Sequence, residues 1–547
     1  MILDPRAGSI TPDAFLTAVL KLDGSPLDQD VFDNFLCLQM SGAFCNEPTV
    51  LLRPFIQPLP IPPRAKPISA SSLDPPVNPA AHQRFQEYPP VDHYQVRVKV
   101  AEHRFHPDLP PSTIWGFNGL PVGETYYAYY GRPILVRFHN DLPAAGDGTG
   151  FGKPEITVHL HNAHTASESD GFPGDFFPSG SYKDNHYGMF LAGNDSREAL
   201  GTLWYHDHRA DFTSQNVYKG LAGFMLFFDE VDSGDERDTN PLALRLPSGE
   251  FDVPLVLADK KFAGTPDHSL EMDVFNTDGF LGDQYTVNMA VQPYYKVARR
   301  KYRFRILNVG PSRFYRLALS NGQDLTLIST DGNLLRAPID TREVRVTVAE
   351  RVDVVVDFSR VPLGSELYLV NVEDQISGRS PTGRVLSIAG APKMMKFIVD
   401  RDAPDPSRVP GALRQLPAIY PGEIVATRRF VFDNENGIWT INGKQFDFNR
   451  SDVQVKQGTA ERWILQNVSD DWEHPVHIHL EEHQVVLRDG APPPLIEQGR
   501  KDVSILGPGS SIEVLIRFRD FVGKYPIHCH NTVHEDHAMM LRWDVIK

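Results

Sequence analysis

The chain has 547 residues, too many for one ordinary domain, and its 41% hydrophobic and 23% charged residues are typical of globular proteins. Acidic residues outnumber basic ones by 70 to 54, and the net charge of -16 disfavours nucleic acid and anionic membrane surfaces as partners. No run approaches about 18 uninterrupted apolar residues, so we exclude a membrane-spanning helix and expect a soluble protein.

Residues 1–90 are predicted to form an N-terminal extension. Thr11 as N-cap and Pro12 as first helical residue predict one short helix, and the Pro-rich run 56–79 predicts an extended arm lying on the body of the protein. The N-terminus lacks the basic flank and apolar core of a secretory signal, so we expect a location that is cytoplasmic or otherwise reached without a visible secretory signal. Cys37 and Cys45 are the obvious candidates for a disulfide, although reduced or packed thiols are the preferred interpretation.

From Tyr94 onward the sequence alternates between apolar and polar residues, the pattern of β-strands, with Pro, Gly or Asn at the strand ends. Three such series cover residues 91–232, 241–400 and 420–547, and a Pro- and Asp-rich linker precedes the third. The pattern therefore predicts an all-β chain with three β-sandwich-like domains behind the arm.

His-X-His pairs occur four times, more often than random placement of 20 histidines would give. Residues i and i+2 of a strand face the same side, so each pair offers two imidazoles in one direction. Two pairs lie in the first strand series and two in the third, so a site that collects all eight must sit where those domains meet. The pairs are His159/His161, His206/His208, His477/His479 and His528/His530.

A second set of metal ligands is predicted around Cys529, which lies between His528 and His530 and faces the opposite side of the strand. Imidazole suits both zinc and copper, but a His₂Cys set with a weak thioether ligand defines a blue-copper electron-transfer site. The strand itself would then provide a short electron path between the two sites. Pro475 is expected to leave His474 free to turn toward Cys529. The predicted ligands are His474, Cys529, His534 and Met539.

With these residues in place, residues 91–547 resemble the three-domain multicopper oxidases, especially the group of bacterial spore-coat laccase, bilirubin oxidase and phenoxazinone synthase. The resemblance implies three cupredoxin-like Greek-key domains and four copper ions, one of type 1, one of type 2 and two of type 3. The segments that carry it are HPDLPPSTIWGFNG, VHLHNAHTASESDG, LWYHDH, NVYKGLAGF, AERVDVVVDFS, HPVHIH and HCHNTVHEDHAMM.

The resemblance also implies a role for each ligand. His474, Cys529, His534 and axial Met539 would hold the type 1 copper, with Met540 the weaker axial candidate on spacing. His159 and His477 would hold the type 2 copper. The type 3 pair would be held by His161, His206, His208, His479, His528 and His530. Asp170 and Glu535 match acidic positions that the family uses for proton delivery.

Two departures from the family pattern concern the channel near the histidines. Asn162 stands where the group usually has Gly, and residues 119–131 replace a Gly-Pro-rich run. Neither removes a ligand. His164, His483 and His537 have no assigned family role and are interpreted as structural.

The expected function is a laccase-like oxidation of phenols, aminophenols or related small reductants, coupled to four-electron reduction of dioxygen to water. The reductant would dock at an exposed edge of the type 1 site, with His534 as the favoured entry ligand and His474 in reserve. Alternatives are a metallo-oxidase of Mn(II), Cu(I) or Fe(II), or a copper-binding coat or storage protein. The chain has 10 Met and no Met cluster near the type 1 ligands, which argues against Cu(I).

Overall fold

The computed structural model of the chain describes residues 49–547. The predicted helix at Thr11 and the Cys37/Cys45 pair lie outside these residues. Most of the regular structure between residues 49 and 547 is β-strand, and six large sheets are arranged as three pairs, which confirms the predicted all-β fold with three sandwich domains. None of the helices in this part of the chain combines the length and the apolar composition that crossing a bilayer requires.

The first domain is a sandwich of two four-stranded sheets, in the orders β2-β1-β4-β8 and β3-β10-β9-β6, and its interior holds large rings such as Trp115 and Tyr205. Strands distant in sequence pair in parallel, β1 with β4 and β3 with β10, so the chain crosses repeatedly between the two layers. The strands are β1 (Asp92–His103), β2 (Ser112–Phe117), β3 (Tyr126–Tyr129), β4 (Ile134–Asn140), β5 (Glu155–Ile156), β6 (Val158–His161), β7 (Phe177–Pro178), β8 (Tyr182–Tyr187), β9 (Thr202–Asp207) and β10 (Ala222–Phe228).

The second domain contributes no His-X-His pair and contains two large sheets. One sheet has the order β14-β13-β11-β16-β21-β18-β19 and the other β15-β23-β22-β17-β20. The strands are β11 (Asp252–Phe262), β12 (Leu270–Glu271), β13 (Gln284–Val287), β14 (Ala290–Val291), β15 (Tyr294–Arg299), β16 (Lys301–Asn308), β17 (Tyr315–Leu319), β18 (Leu325–Thr330), β19 (Asn333–Thr341), β20 (Glu343–Val346), β21 (Arg351–Asp357), β22 (Glu366–Asn371) and β23 (Lys393–Asp402).

The third domain pairs a six-stranded sheet, β25-β24-β27-β32-β29-β30, with a five-stranded sheet, β26-β34-β33-β28-β31. In β32 the inward residues Ile512, Val514 and Ile516 are buried, as the alternating sequence predicts. The strands are β24 (Ile424–Glu435), β25 (Ile438–Ile441), β26 (Val453–Lys456), β27 (Thr459–Asn467), β28 (His474–Ile478), β29 (His483–Arg488), β30 (Arg500–Lys501), β31 (Val503–Leu506), β32 (Ser511–Phe518), β33 (Gly523–Cys529) and β34 (Met540–Ile546).

Helices within residues 49–547 are short. Two α-helices, α1 (Thr213–Tyr218) and α2 (Thr532–Asp536), pack against each other, and the backbone N–H of Ser214 donates to the Asp536 carboxylate at 3.1 Å. The 3-10 helices are Ala70–Ser72, Pro79–Ala81, Ser167–Ser169, Ala192–Asn194, Ser196–Glu198, Gly249–Phe251, Ile388–Gly390, Pro421–Glu423 and Leu495–Glu497.

The arm that precedes β1 touches all three domains. Pro58 bridges to Tyr294 of the second domain, and the backbone of Ala65 then donates to Thr125 of the first at 2.9 Å. Further along, the Gln83 side chain donates to the backbone carbonyl of Val522 in the third domain at 2.9 Å. The arm is therefore a strap across the molecule, in the extended form that its proline content predicts.

Buried ion pairs join the second domain to the third. Arg351 forms a two-point contact with Asp502 at 2.9 and 3.0 Å, and Lys501 lies 2.9 Å from Asp331, with all four side chains buried. Removing one member of such a pair leaves a buried charge and costs about 3–5 kcal/mol. Asn162 of the first domain adds a hydrogen bond to the Asp331 carbonyl, so the residue that departs from the family pattern helps to fix the three domains together.

Candidate metal centre

Strand alternation divides the histidines of the third domain between two sites. His477 is paired with His528 across β28 and β33, and Val476 is paired with Cys529. Cross-strand partners point to the same face, so His477 and His528 share one face while Cys529 points to the other. His474 lies two residues before Val476 and therefore faces the Cys529 side. The expectation that Pro475 frees His474 to turn is wrong. His474 is part of β28, and the face on which its side chain lies follows from strand alternation alone.

On the Cys529 face, three side chains form a compact buried cluster. Cys529 Sγ lies 3.4 Å from His474 Nδ1 and 3.6 Å from His534 Nδ1. Helix α2 supplies His534, and its N-cap residue Asn531 accepts a hydrogen bond from the Val533 backbone. Burial raises the pKa of the Cys529 thiol well above its usual range, so a thiolate here requires a bound cation. The donor set therefore fits a soft metal ion.

The two consecutive methionines after α2 face different sites. Met539 packs in the same core cluster as Cys529, and its backbone N–H donates to the His534 carbonyl at 3.1 Å. Met540 is instead the cross-strand partner of His528, so its side chain lies on the opposite face of the sheet. The geometry thus favours Met539 over Met540 as a neighbour of the Cys529 cluster.

On the other face, the eight paired histidines meet between the first and third domains. His159 Nε2 lies 3.4 Å from His477 Nε2, and His479 Nε2 lies 3.2 Å from His208 Nε2 and 3.3 Å from that of His528. Strands β6 and β9 present one half of the cluster, and β28 and β33 the other. All eight are buried: His159, His161, His206, His208, His477, His479, His528 and His530.

Hydrogen bonds to backbone carbonyls orient several imidazole rings so that one nitrogen of each points into the cluster. The Nδ1–H of His159 donates to the Asp170 carbonyl, that of His206 to the Asp207 carbonyl at 2.8 Å, and that of His477 to the Asp502 carbonyl at 2.9 Å. A carbonyl can only accept, so the proton must be on Nδ1 and the lone pair on Nε2. Burial also lowers the pKa of all three imidazoles, which favours the neutral form that metals bind.

Several nitrogen atoms in this cluster have no hydrogen-bond partner within the described chain. They are His206 Nε2 and both ring nitrogens of His161 and His530. Unpaired buried polar atoms cost about 1–3 kcal/mol each, so the concentration of them at one point indicates that a ligand completes the site. Groups of three side chains, such as His159, His161 and His206, have their donor atoms within 4.8 Å of one another, as metal binding requires. The residues present therefore fit copper.

The two acids that the sequence singled out both reach this cluster. Asp170 Oδ2 lies 2.8 Å from His479 Nδ1, and burial raises the pKa of Asp170 well above its usual range. Glu535 lies 3.0 Å from His208 Nδ1 and 3.2 Å from His528 Nδ1. Burial alone would raise the pKa of Glu535, but His208 and His528 hold it well below its usual range. Both acids therefore border imidazoles of the cluster.

Asp502 is a third acid at the cluster, and the sequence reasoning missed it. Its Oδ2 lies 3.1 Å from His161 Nε2, although the two groups are not aligned as a hydrogen bond. Burial raises the pKa of Asp502, and the paired Arg351 guanidinium opposes this rise. No motif marks this acid, because it approaches His161 from a position 341 residues later in the chain, between β30 and β31.

His534 has no exposed edge, contrary to the prediction of a docking site there. Its Nε2–H donates to the Asp278 carbonyl at 3.0 Å, and the Trp439 ring stacks on it with ring centroids 3.9 Å apart. His474 is also fully buried. A reductant must therefore approach through the residues that cover His534, and one of them, Asp278, also walls a cavity of about 580 Å³.

The three histidines singled out as having no assigned family role make contacts outside both clusters. His164 Nε2 lies 3.0 Å from Asp520, His483 Nε2 lies 2.7 Å from Ser504 Oγ, and His537 Nδ1 donates to the Val533 carbonyl at 2.7 Å. These contacts agree with the structural roles assigned to them.

Comparison with known proteins gives a consistent result. Sequence profiles of multicopper oxidases match residues 99–231, 259–387 and 423–547. Over 503 aligned residues the chain is 35% identical to the bilirubin oxidase of Albifimbria verrucaria, covering 89% of this chain and 80% of that protein. It is 29% identical to a laccase of Bacillus subtilis strain 168, over 90% and 99% of the two chains. A laccase structure from Pediococcus acidilactici Pa5930 has the same fold, with a TM-score of 0.73 at 24% identity over 91% and 95% of the chains.

Proposed function

The chain belongs to the multicopper oxidase family, and on that premise we propose how its residues divide the work of the enzyme. It is a laccase-like oxidoreductase with three cupredoxin-like domains that binds four coppers and uses dioxygen and a reductant. One observation carries the proposal for its sites: Cys529 and its neighbour His528 face two different clusters of buried ligands from a single strand.

The Cys529 cluster is proposed to hold the type 1 copper. Its two imidazoles both present Nδ1 to the sulfur atom, and Met539 packs beside them. A His₂Cys set with a weak thioether is the ligand set of blue-copper sites. The assigned ligands are His474, Cys529, His534 and Met539.

The eight-histidine cluster is proposed to hold the other three coppers, with His159 and His477 at the type 2 ion. Their Nε2 atoms face each other at 3.4 Å, and both rings are oriented by backbone carbonyls. When bound, the coppers supply one-electron redox chemistry and the coordination of dioxygen. The assigned type 3 ligands are His161, His206, His208, His479, His528 and His530.

Proton supply is assigned to Asp170 and Glu535. Asp170 Oδ1 is buried without a hydrogen-bond partner, so it can carry the proton that burial favours on this acid. Glu535 lies 3.0 Å from His208 Nδ1 and 3.2 Å from His528 Nδ1, so its carboxylate borders two imidazoles of the cluster. Two acids at one centre suit a reaction that consumes protons in steps.

The reductants are proposed to be phenols, aminophenols and related small aromatic molecules. The cavity of about 580 Å³ beside His534 is large enough for one such ring, and the Asp278 carbonyl connects its wall to the imidazole. The test is dioxygen uptake by the copper-loaded protein with a phenol, an aminophenol, bilirubin and Mn(II). Uptake with the phenol and the aminophenol is expected, whereas uptake with Mn(II) alone would make the enzyme a metallo-oxidase. No uptake with any reductant would favour a copper-storage protein.

A further inference from the structure

The cavity beside His534 is walled by two segments of the second domain, residues 273–283 and 376–378. Both segments are tied to the type 1 ligand helix. Asp278 accepts from His534, and the Gly378 carbonyl accepts from the Asn531 side chain at 3.1 Å. Trp439, stacked on His534, donates from its indole N–H to the Thr277 carbonyl at 2.9 Å. A molecule in this cavity therefore lies against Asp278, whose carbonyl accepts from the imidazole.

The charged groups that line the cavity are mostly acidic. Asp273, Asp278 and Asp283 line it, against one cation, Lys261. Lys261 is itself offset by Glu271 at 3.6 Å, outside the lining. The cavity thus has an excess of negative charge, which attracts cations and repels anions.

Two of these acids form no ion pair among residues 49–547, although the Lys261 charge acts on Asp283. Asp278 is paired with Arg379 at 2.7 Å. Asp273 is exposed, and its Oδ1 only accepts from the Phe275 backbone at 3.1 Å. Asp283 accepts from the Thr49 backbone through Oδ2 at 2.6 Å, while its Oδ1 is buried without a partner. Burial raises the pKa of Asp283, a cost that a bound cation would offset.

Two exposed apolar side chains belong to the segments that wall this cavity. Phe275, between the lining residues 273 and 276, is 91% exposed, and Ile376 of the opposite wall is 48% exposed. Ile376 lines the cavity, and Phe275 precedes the lining residue Asn276. These two side chains offer apolar surface on which a flat ring can pack while a charged group reaches the acids.

We propose that this cavity selects aromatic reductants that carry a positive charge, and that Asp273 and Asp283 are the residues that discriminate against anionic ones. The inference rests on the proposed function, because it assigns a substrate class to the same entry site. A dianionic pigment such as bilirubin would meet the repulsion of both acids.

Three catechols that differ in side-chain charge test the proposal. In their oxidation, two catechols lose four electrons and four protons to give two quinones, while one dioxygen becomes two waters. Dopamine carries an ammonium group, dihydroxyphenylacetate carries a carboxylate in its place, and methylcatechol is neutral. At about pH 6 both side-chain groups are ionised. The expected kcat/KM is about tenfold higher for dopamine than for dihydroxyphenylacetate, and the ratio should fall as salt is added.

Variants of the two acids test whether the charge preference arises in the cavity. Asp273→Asn and Asp283→Asn should each lower kcat/KM for dopamine and raise it for dihydroxyphenylacetate, while methylcatechol is unchanged. Asp235→Asn is the matched control, because Asp235 is exposed, accepts from the backbone two residues on as Asp273 does, and lies outside the cavity lining. A shift of the ratio by Asp235→Asn as large as that by Asp273→Asn would overturn the proposal.

Binding to the copper-free protein gives a readout that does not depend on turnover. Phenethylamine and phenylacetate cannot be oxidised as catechols are, and calorimetry should detect the amine but not the acid, with Asp273→Asn weakening the amine. Turnover of all three catechols with no charge preference would overturn this inference and leave the proposed function standing. Failure to oxidise even methylcatechol would overturn the proposed function itself.

Discussion

Cys529 and His528 are consecutive residues whose side chains point to opposite faces of β33. Cys529 Sγ lies 3.4 Å from His474 Nδ1, whereas His528 Nε2 lies 3.3 Å from His479 Nε2. One peptide unit therefore joins the two clusters, and each can be altered while the other keeps its ligands.

Replacing Cys529 by serine should remove the type 1 copper and leave the other three. Serine lacks the soft thiolate that defines a blue site, so the intense blue colour and the oxidation of reductants should both be lost. Copper analysis together with visible absorption checks the outcome. Cys37→Ser and Cys45→Ser, the same change at the two other cysteines, should keep both colour and copper. A blue Cys529→Ser protein would show that the type 1 assignment is wrong.

Met539→Leu should raise the type 1 reduction potential, because loss of the weak thioether donor disfavours the oxidised Cu(II) form. Met and Leu are similar in volume, so the cost in stability should stay below about 1.5 kcal/mol. A redox titration measures the shift. The matched control is Met540→Leu, which alters the face shared with His528 and should leave the potential unchanged. A rise for Met540→Leu alone would move the axial role to that residue.

Glu535→Gln and Asp170→Asn should slow dioxygen reduction more than reductant oxidation. Each change keeps the approximate shape of the side chain but removes a group that exchanges protons, a contribution of about a hundredfold or more. Stopped-flow mixing of the fully reduced variants with dioxygen, followed across pH, measures reoxidation directly. Wild-type rates in both variants, with unchanged copper content, would remove these acids from the proton path.

His164 should stabilise the protein at low pH. Burial alone would lower its pKa, but Glu481 and Asp520 raise it above the usual value, with Arg519 opposing them. A raised folded-state pKa means that the stabilisation is present below the unfolded-state pKa and is lost as pH rises through the folded-state pKa. Breaking such a buried pair costs about 3–5 kcal/mol. His164→Gln should therefore lower Tm more at pH 5 than at pH 9.

His483 provides a control, because the change in Tm on its replacement should depend on pH in the opposite direction. Burial lowers its pKa to about 3, so the folded protein keeps it neutral where the unfolded chain would already be protonated. The Tm penalty of His483→Gln should therefore shrink as pH falls below about 6.5. Parallel pH dependence of Tm in the two variants would contradict the assigned protonation of His164.

Much of the site could be predicted from the sequence, because strand alternation is a local rule. His-X-His places two rings on one face and the intervening Cys529 on the other, and the three-residue step from His474 to His477 places those rings on opposite faces. The all-β fold followed from the same alternation. These relationships require only neighbours in the chain.

The parts that were missed depend on contacts between distant segments. Asp278 and Trp439 cover His534 from the second domain and from another strand of the third, and their surrounding sequence carries no signal of this. Asp502 reaches His161 across the interface of two domains. A periodic pattern shows which way a side chain faces but does not show which segment lies opposite, so the covered edge of His534 could not be foreseen.

The strap formed by the arm also bears on the order of assembly. The arm leaves the ribosome before any of the three domains, yet its contact from Gln83 to Val522 joins residues separated by 439 positions. Domains generally fold as they emerge, so this contact can close only when synthesis is almost complete. A chain that stops early would leave this end of the strap unattached. Attachment of the arm therefore requires a complete third domain, and an unattached arm would be open to proteolysis.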